Sequence, residues 1–297
     1  YVCDGINDST IIKQAINSLS SVGGTVLLLE GEYNLTTAIG LNSNVTLKGV
    51  GNATVLKVAS SFVDGDIIVN SDWSAGNSNI EVRDLVINGV NYTGTYALNG
   101  IHFKIGENYV IENVDLFGLK GDGIFLYDIW NSSVANCRIK TCVGSGLNLN
   151  YCDTCVFEGN IISGCGGGIY GAGIFLQISN SNCIIRNNVI YRNLRAGILL
   201  YQGTVDSLIA NNLIFENSQA QNSLYANIAI ANYNSNVTIQ GNLCREGGLA
   251  NKPSYGVLIE NSTNNGIFVV ANDLYKSGAL GSINDRGTGT VVYSNRI

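Results

Sequence analysis

Residues 100–122 read GIHFKIGENYVIENVDLFGLKGD, residues 123–145 read GIFLYDIWNSSVANCRIKTCVGS, and the two lie over one another without a gap. Each begins with Gly-Ile, continues with apolar residues at every second position, and reaches an Asn 13 residues after its Gly, at Asn113 and Asn136. The Gly marker recurs at Gly146, Gly173, Gly197 and Gly256, with Asn227 in the remaining slot, giving intervals of 23, 23, 27, 24, 30 and 29 residues. The Asn marker keeps step at Asn160, Asn188, Asn212, Asn242 and Asn272, and Asn295 closes the series. A fixed period of this length marks a repeat architecture, and it has to be recognised before any local reading.

Period-two alternation after each Gly places Ile124 and Leu126, with their equivalents, on one side of a short strand. One coil cannot bury that side alone, so coils stack and share a continuous core. Gly and Asn suit the tight bends because both tolerate left-handed backbone angles, and Asn side chains stacked in register can form an amide ladder. The spacing therefore predicts an all-β fold: a single-stranded parallel β-helix, or β-solenoid, of about ten coils. Longer intervals, such as the one holding Gln219 to Tyr225, read as loops bulging from one bend. The whole chain, 1–297, reads as one domain.

Composition agrees. Charged residues make up 13% against about 25% in typical soluble proteins, with 36 Gly, one Pro and no Met. That is the balance of short strands and tight turns. A formal net charge of −6 excludes nucleic acid as the natural partner. No apolar run approaches the roughly 20 residues that span a bilayer, which argues against membrane insertion. The start at Tyr1 reads as a processed chain, and together with eight Cys it suggests an exported, extracellular protein. Eight N-x-S/T sequons permit glycosylation without indicating it, in a chain so rich in Asn, Ser and Thr.

Ahead of the repeat, residues 1–24 form a cap region. Ile12, Ala15, Ile16 and Leu19 share one face of a helix over Ser9–Leu19, with Asp8 as N-cap and Gly23-Gly24 as its end. Coils then fill 25–297, beginning with strands at Thr25–Leu29, Val45–Leu47 and Val55–Val58. A helix at this point would cover the open end of the solenoid. The other end shows no such cover before Ile297, so either more chain or another subunit is expected there.

Residues 4–56, DGINDSTIIKQAINSLSSVGGTVLLLEGEYNLTTAIGLNSNVTLKGVGNATVL, resemble the N-terminal segment of the pectin-lyase-like superfamily. The Asp-Gly, the amphipathic helix, the Gly-Gly-Thr-Val strand, the Gly-x-Tyr and the Leu47-Lys48-Gly49 coil come in that order. The resemblance runs on through the repeats. It implies a right-handed parallel β-helix, and a superfamily of pectate and alginate lyases, polygalacturonases, epimerases, phage tailspikes and surface proteins of methanogenic archaea and phage. YVCDG and the Asn-rich repeats look most like the last group.

In the enzymes of that superfamily the substrate lies on the outward face of the Gly-Ile strands. Alternation places His102, Lys104, Phe125, Tyr127, Asn148 and Asn150 there, followed by Phe175, Gln177 and Tyr201. Phe125, Tyr127, Phe175 and Tyr201 form a stripe suited to sugar rings, to another subunit, or to packing beneath a loop. Inverting glycoside hydrolysis needs paired carboxyl groups. Asp122-Gly123-Ile124 is similar to the Asp-Gly-Ile of polygalacturonases, yet the next coils offer Ser145 and Ala172 in place of a second acid. Arg138-Ile139-Lys140 matches the RIK string of those enzymes but follows the wrong coil. A lyase would bring calcium with Lys or Arg, and His102, Lys104, Lys120, Asp122 and Asp128 are its candidate cluster. Their alternative is a set of solvated charges. Asp64-Gly65-Asp66 reads as a turn or a calcium ligand; otherwise no metal or cofactor is expected.

Cys155 and Cys183 each sit five residues before an Asn marker and should stack. Cys142 and Cys165 fall one position out of register on neighbouring coils. Both pairs are disulfide candidates by coil spacing, or else small free-thiol core residues. Cys137 reads as core, in a slot shared with Val114, Ile161 and Val189. Cys3 would tie down the cap or link subunits. The preferred reading is a non-catalytic extracellular surface protein, of envelope, sheath, filament or phage fibre, self-assembling through its ends or faces. The alternative is a lyase or hydrolase acting on an acidic polysaccharide.

Overall fold

The computed structural model describes residues 1–63, 65–168 and 171–297. The alternating apolar segments form parallel strands, each paired with its equivalents one coil above and below. A representative coil comprises the strands Leu147–Asn150, Val156–Glu158 and Ile161–Ser163, and the next comprises Ala172–Ile178, Ile184–Arg186 and Val189–Tyr191. Leu147 pairs with Ile174, Phe157 with Ile185 and Ile162 with Ile190, all parallel and all pointing inward. The Gly-Ile strands make one sheet of ten stacked strands from Ile39–Leu41 to Gly281–Asp285, the two other faces join in a second sheet, and the fold is a parallel β-solenoid of about ten coils.

One apolar core runs along the axis from Ile12 and Ile16 to Leu274. In-register stacking makes each coil the lid of its neighbour, so Ile101, Ile124, Leu147, Ile174, Ile198 and Ile228 are fully buried. The α-helix spans Asp8–Asn17 and covers the first coil with Ile12 and Ile16. Its N-cap is Asn7 rather than Asp8. Asp8 lies inside the first turn, where its carboxylate accepts the backbone N–H of Gly5 (3.0 Å) and of Asn34 (2.8 Å), tying helix to coil.

The marker glycines serve a different need from the one expected of them. None of Gly100, Gly123, Gly146, Gly173 or Gly197 has a left-handed φ. Each instead is crowded by its own coil and the next: a Cβ on Gly146 would come within 2.4 Å of Ile162 Cγ2 and 2.7 Å of the Gly173 carbonyl oxygen. Left-handed angles fall elsewhere, for example at Asn136, Gly159, Asn187, Asn211 and Gly241.

The residue after that left-handed position is the ladder position. Asn188 Oδ1 accepts both the backbone N–H (2.9 Å) and the Nδ2 (3.0 Å) of Asn160. Asn212, Asn242, Asn272 and Asn295 repeat the pattern coil after coil. Asn113 and Asn136 carry the left-handed angles instead, one position earlier. The ladder slot of their coils holds Val114 and Cys137, and Cys137 N–H donates to Asn160 Oδ1 (3.0 Å). Cys137 is core, but it aligns with Asn160 and not with Ile161.

All eight cysteines are free thiols. Cys155 and Cys183 stack on adjacent coils as expected. Cys142 and Cys165 are in register rather than one position out. The pairs expected as disulfides are instead buried thiols facing main-chain oxygens: Cys155 Sγ lies 3.5 Å from the Ile129 carbonyl and Cys183 Sγ 3.6 Å from that of Cys152. Cys3 is partly buried beside the helix and core.

Candidate functional site

The Gly-Ile sheet presents three outward columns. One runs through Val69, His102, Phe125, Asn148, Phe175 and Leu199 in register. A second, two residues on, runs through Lys104, Tyr127 and Asn150, whose Nδ2 faces Gln177 Oε1 at 3.5 Å. The third lies at the strand starts and holds Asp66, Asn99, Asp122 and Ser145.

Aromatic rings cover the first coils of this face. Trp73 lies against His102 (centroids 4.9 Å), His102 stacks on Phe125 (4.5 Å, 20° between planes), and Phe125 meets Tyr127 edge-on (6.4 Å), as Tyr127 meets Tyr151 (5.6 Å). Lys104 Nζ sits 5.7 Å from the Trp73 ring and 5.6 Å from Tyr127, so the cation is held between two π faces. Trp73 owes its place to a short loop in which Asp72 accepts the N–H groups of Ser74 and Ala75 (both 2.8 Å) and Asn70 exchanges two hydrogen bonds with the Lys104 backbone.

Beside the rings runs a polar chain. His102 Nδ1 is 3.0 Å from Asp66 Oδ2, and Asn99 Nδ2 donates to Asp66 Oδ1 at 2.6 Å. Asn99 Oδ1 accepts Asp122 N–H (2.6 Å), while Asp122 accepts Ser145 N–H (2.5 Å) and Asn148 Nδ2 (2.8 Å). Burial pushes the Asp122 carboxyl above the usual range, and Asp66 adds to the rise, against the opposing pull of Asn148, Ser145 and His102. Asn148 Oδ1 and Asn150 Oδ1 are buried with no hydrogen-bond partner among the described residues.

Several sequence expectations resolve differently. Asp128 sits in a left-handed kink (φ 59°) aligned with Ile105 and Tyr151, and six residues of strand, about 20 Å, separate it from Asp122. The kink explains the Asp, which tolerates that angle. Lys120 turns away to the Gly94 carbonyl (2.8 Å) and the Tyr92 ring, because the loop around residues 89–97 folds over it. The expected cluster therefore keeps only His102, Lys104 and Asp122.

The expected stripe of four aromatics breaks in two. Phe175 is buried in a satellite cluster with Ala172 and Ala196, 6.1 Å from Tyr201, and the amides of Asn148, Asn150 and Gln177 separate this pair from Phe125 and Tyr127. Arg138 pairs with Asp115 on another face, so the RIK string has no part in this surface. Asp64 lies outside the described residues; Asp66 is engaged by His102 and Asn99. Among the described residues no group of three His, Cys, Asp or Glu side chains converges on a metal position.

Trp73, Asn99 and Tyr151 are the members that sequence reading missed, and Asp66, read there as a turn or calcium ligand, partners His102 and Asn99 instead. Loops between Val69 and Asn99 hide the register of the coil carrying Asp66, so its alignment with Asn99 shows only in the pairing. Asp66 and Asp122 are two coils apart, about 9.6 Å between backbones, near the upper end of the about 6.5–9.5 Å carboxyl separation of inverting glycosidases.

No curated protein matches the chain. Among solved structures it is similar to the Azotobacter vinelandii mannuronan C-5 epimerase AlgE6 A-module (21% identity, TM-score 0.61, 98% of this chain and 96% of that one). It also resembles the DFA-IIIase of Arthrobacter chlorophenolicus A6 (15%, TM-score 0.75, 99% and 82%). Geobacillus virus E2 ORF18 is a third relative in shape (16%, TM-score 0.65, 98% and 58%). At these identities the likeness is one of fold. The family model for the right-handed beta helix region matches residues 73–227, the segment that carries the aromatic array and both markers. With the pairing of the coils, that match places the chain in the right-handed β-helix family.

Proposed function

We propose that this is an extracellular β-helix protein that binds a glycan along the outward face of its Gly-Ile sheet. The observation that carries the reading is the contiguous array Trp73–His102–Phe125–Tyr127–Tyr151, with the amide side chains of Asn148 and Asn150 next in the same columns. Aromatic faces take up the C–H faces of sugar rings, and amides take the hydroxyls. The coil spacing, about 4.8 Å, is close to the length of one hexose unit, so a chain laid along the axis would meet one rung per sugar. A stiff surface rod and a glycan binder are compatible roles. Affinity electrophoresis against polymannuronate, polygalacturonate and laminarin tests the reading. Trp73→Ala and Phe125→Ala should each weaken retention about two- to tenfold, in line with an aromatic contact of about 0.5–1.5 kcal/mol. Retention unchanged in both variants would sink it.

A second reading is cleavage of the bound chain. Asp122 favours it: burial raises its carboxyl, the direction that suits general-acid work, and Asp66, bonded to His102, lies two coils away. Reducing-end release by the wild type, abolished in Asp122→Asn with polymer retention intact, would support hydrolysis. No release from any retained polymer would leave binding alone.

A further inference from the structure

From two coils beyond Phe125, the same face changes character. The column that held Asp66, Asn99, Asp122 and Ser145 continues as Ala172, Ala196 and Ala226, and the next column offers Leu199, Ala229 and Leu258. The long interval after Phe215 folds back over these positions and leaves a half-enclosed pocket of about 230 Å³. Its floor is methyl groups, from Ala196, Ala226, Ala229 and Ala231, and its walls include Tyr201 and Tyr225. Among the described residues, only Arg195 and Glu260 bring charge to the lining.

The wall is preformed. Ser218 Oγ donates to the Gln221 carbonyl (2.5 Å) and accepts the Tyr225 N–H (3.2 Å). Gln219 and Asn251 exchange side-chain-to-backbone hydrogen bonds (both 2.8 Å), and Ser254 N–H binds the Tyr225 carbonyl (2.8 Å). The Arg195 guanidinium lies over the Tyr225 ring at 5.1 Å, fixing both. Burial raises the Glu260 carboxyl above its ordinary pKa, the mark of an acid facing an apolar recess rather than open water.

We propose that this pocket receives a single 6-deoxyhexose at its Tyr201 end, its methyl group on Ala229 and Ala231, its ring against Tyr201 and its hydroxyls toward Glu260. The volume is sufficient for one sugar ring. Four methyl groups offer nothing to a primary hydroxyl, whereas a C6 methyl buries its whole surface there. The Glu260 carboxyl, in register with Ala231 and Tyr201, calls for a hydroxylated ligand rather than a hydrocarbon. This assignment rests on the glycan-binding reading and adds the sugar class.

The test is titration by NMR of the intact chain with methyl glycosides of L-rhamnose and L-fucose, and with their 6-hydroxy counterparts, L-mannose and L-galactose. The deoxy sugars should bind at least about tenfold tighter, because an apolar pocket discriminates an added hydroxyl by about 10–100-fold. Ala229→Leu, which fills the floor, should abolish saturable binding while near-ultraviolet circular dichroism and polymer retention stay unchanged. Glu260→Gln should weaken it several-fold, and Trp73→Ala should leave it intact. Equal binding of deoxy and hydroxy forms, or binding that survives Ala229→Leu, would overturn the assignment. Absence of deoxy-sugar binding with polymer retention intact overturns the pocket alone; loss of both overturns the glycan reading as well.

Discussion

Asn212 shows how much one side chain carries in this fold. Its Oδ1 accepts the N–H (3.0 Å) and Nδ2 (2.9 Å) of Asn188, and its Nδ2 reaches the Ile185 carbonyl (3.0 Å), all within the core. Asn212→Ala orphans buried donors on the neighbouring coil at about 1–3 kcal/mol each. We expect a loss of about 3 kcal/mol or more in urea denaturation. Cysteines stand where a ladder begins: the backbone N–H groups of Cys137, Cys152 and Cys165 donate to Oδ1 of Asn160, Asn180 and Asn193, while their thiols face the carbonyls of Ile111, Leu126 and Ile139. Cys137→Asn should therefore be tolerated, extending the Asn160 ladder by one rung with no fall in melting temperature. Asp122 supplies a pH prediction. Its folded pKa lies above its unfolded one, so ionisation penalises the fold above the folded pKa, and the penalty is relieved as pH falls toward the ordinary value near 3.9. Carbon-13 titration should show Asp122 protonating at higher pH than the usual carboxylate range.

At the scale of the strand and bend, glycine is there for closeness. Gly146→Ala would drive Cβ into Ile162 and the Gly173 carbonyl, a clash with backbone that cannot swing aside. A cost of about 1–3 kcal/mol is expected, as in overpacked cores. Gly248→Ala meets nothing within 4 Å and should be neutral in the same thermal melts. The loops follow another rule. They are free to lengthen because the strand pairing beneath them is already satisfied, and both the aromatic array and the alanine-floored pocket depend on one: Trp73 on the loop after Asn70, Tyr225 on the loop after Phe215.

Along the whole molecule, burial is continuous but the ends differ from the middle. Val291, Val292 and Tyr293 of the last strand are exposed, although the equivalents of Val292 in earlier coils are buried. Amide exchange should be fastest there and slowest near Ile162 and Ile185. Thiol chemistry reports on the same architecture. Seven of the eight cysteines are buried, and burial raises those of Cys137, Cys183 and Cys244 to about 12. An Ellman titration without reductant should find slow reaction at Cys3 alone in the native protein and all eight thiols in denaturant. Fewer than eight in denaturant would mean that disulfides form after all.

The sequence by itself determined the solenoid, its period, the inward residues and the outward columns, because strand alternation and coil stacking are set by spacing and by the need of each coil to share its core. It also put Asn at the bends, but it ran together two adjacent positions, one left-handed and one bonded into the ladder, since both favour Asn for different reasons. It named Phe125, Tyr127, His102 and Asp122 for the surface. What only the tertiary structure decided is the company these residues keep. Asp66 and Trp73 join His102 through a coil whose register the loops disguise, Lys120 and Asp128 leave the cluster, and Phe175 sinks beneath its neighbours. Loop length carries no pairing information, so where a loop folds, and which side chain it brings across the face, follows from contacts made only when the coils are stacked.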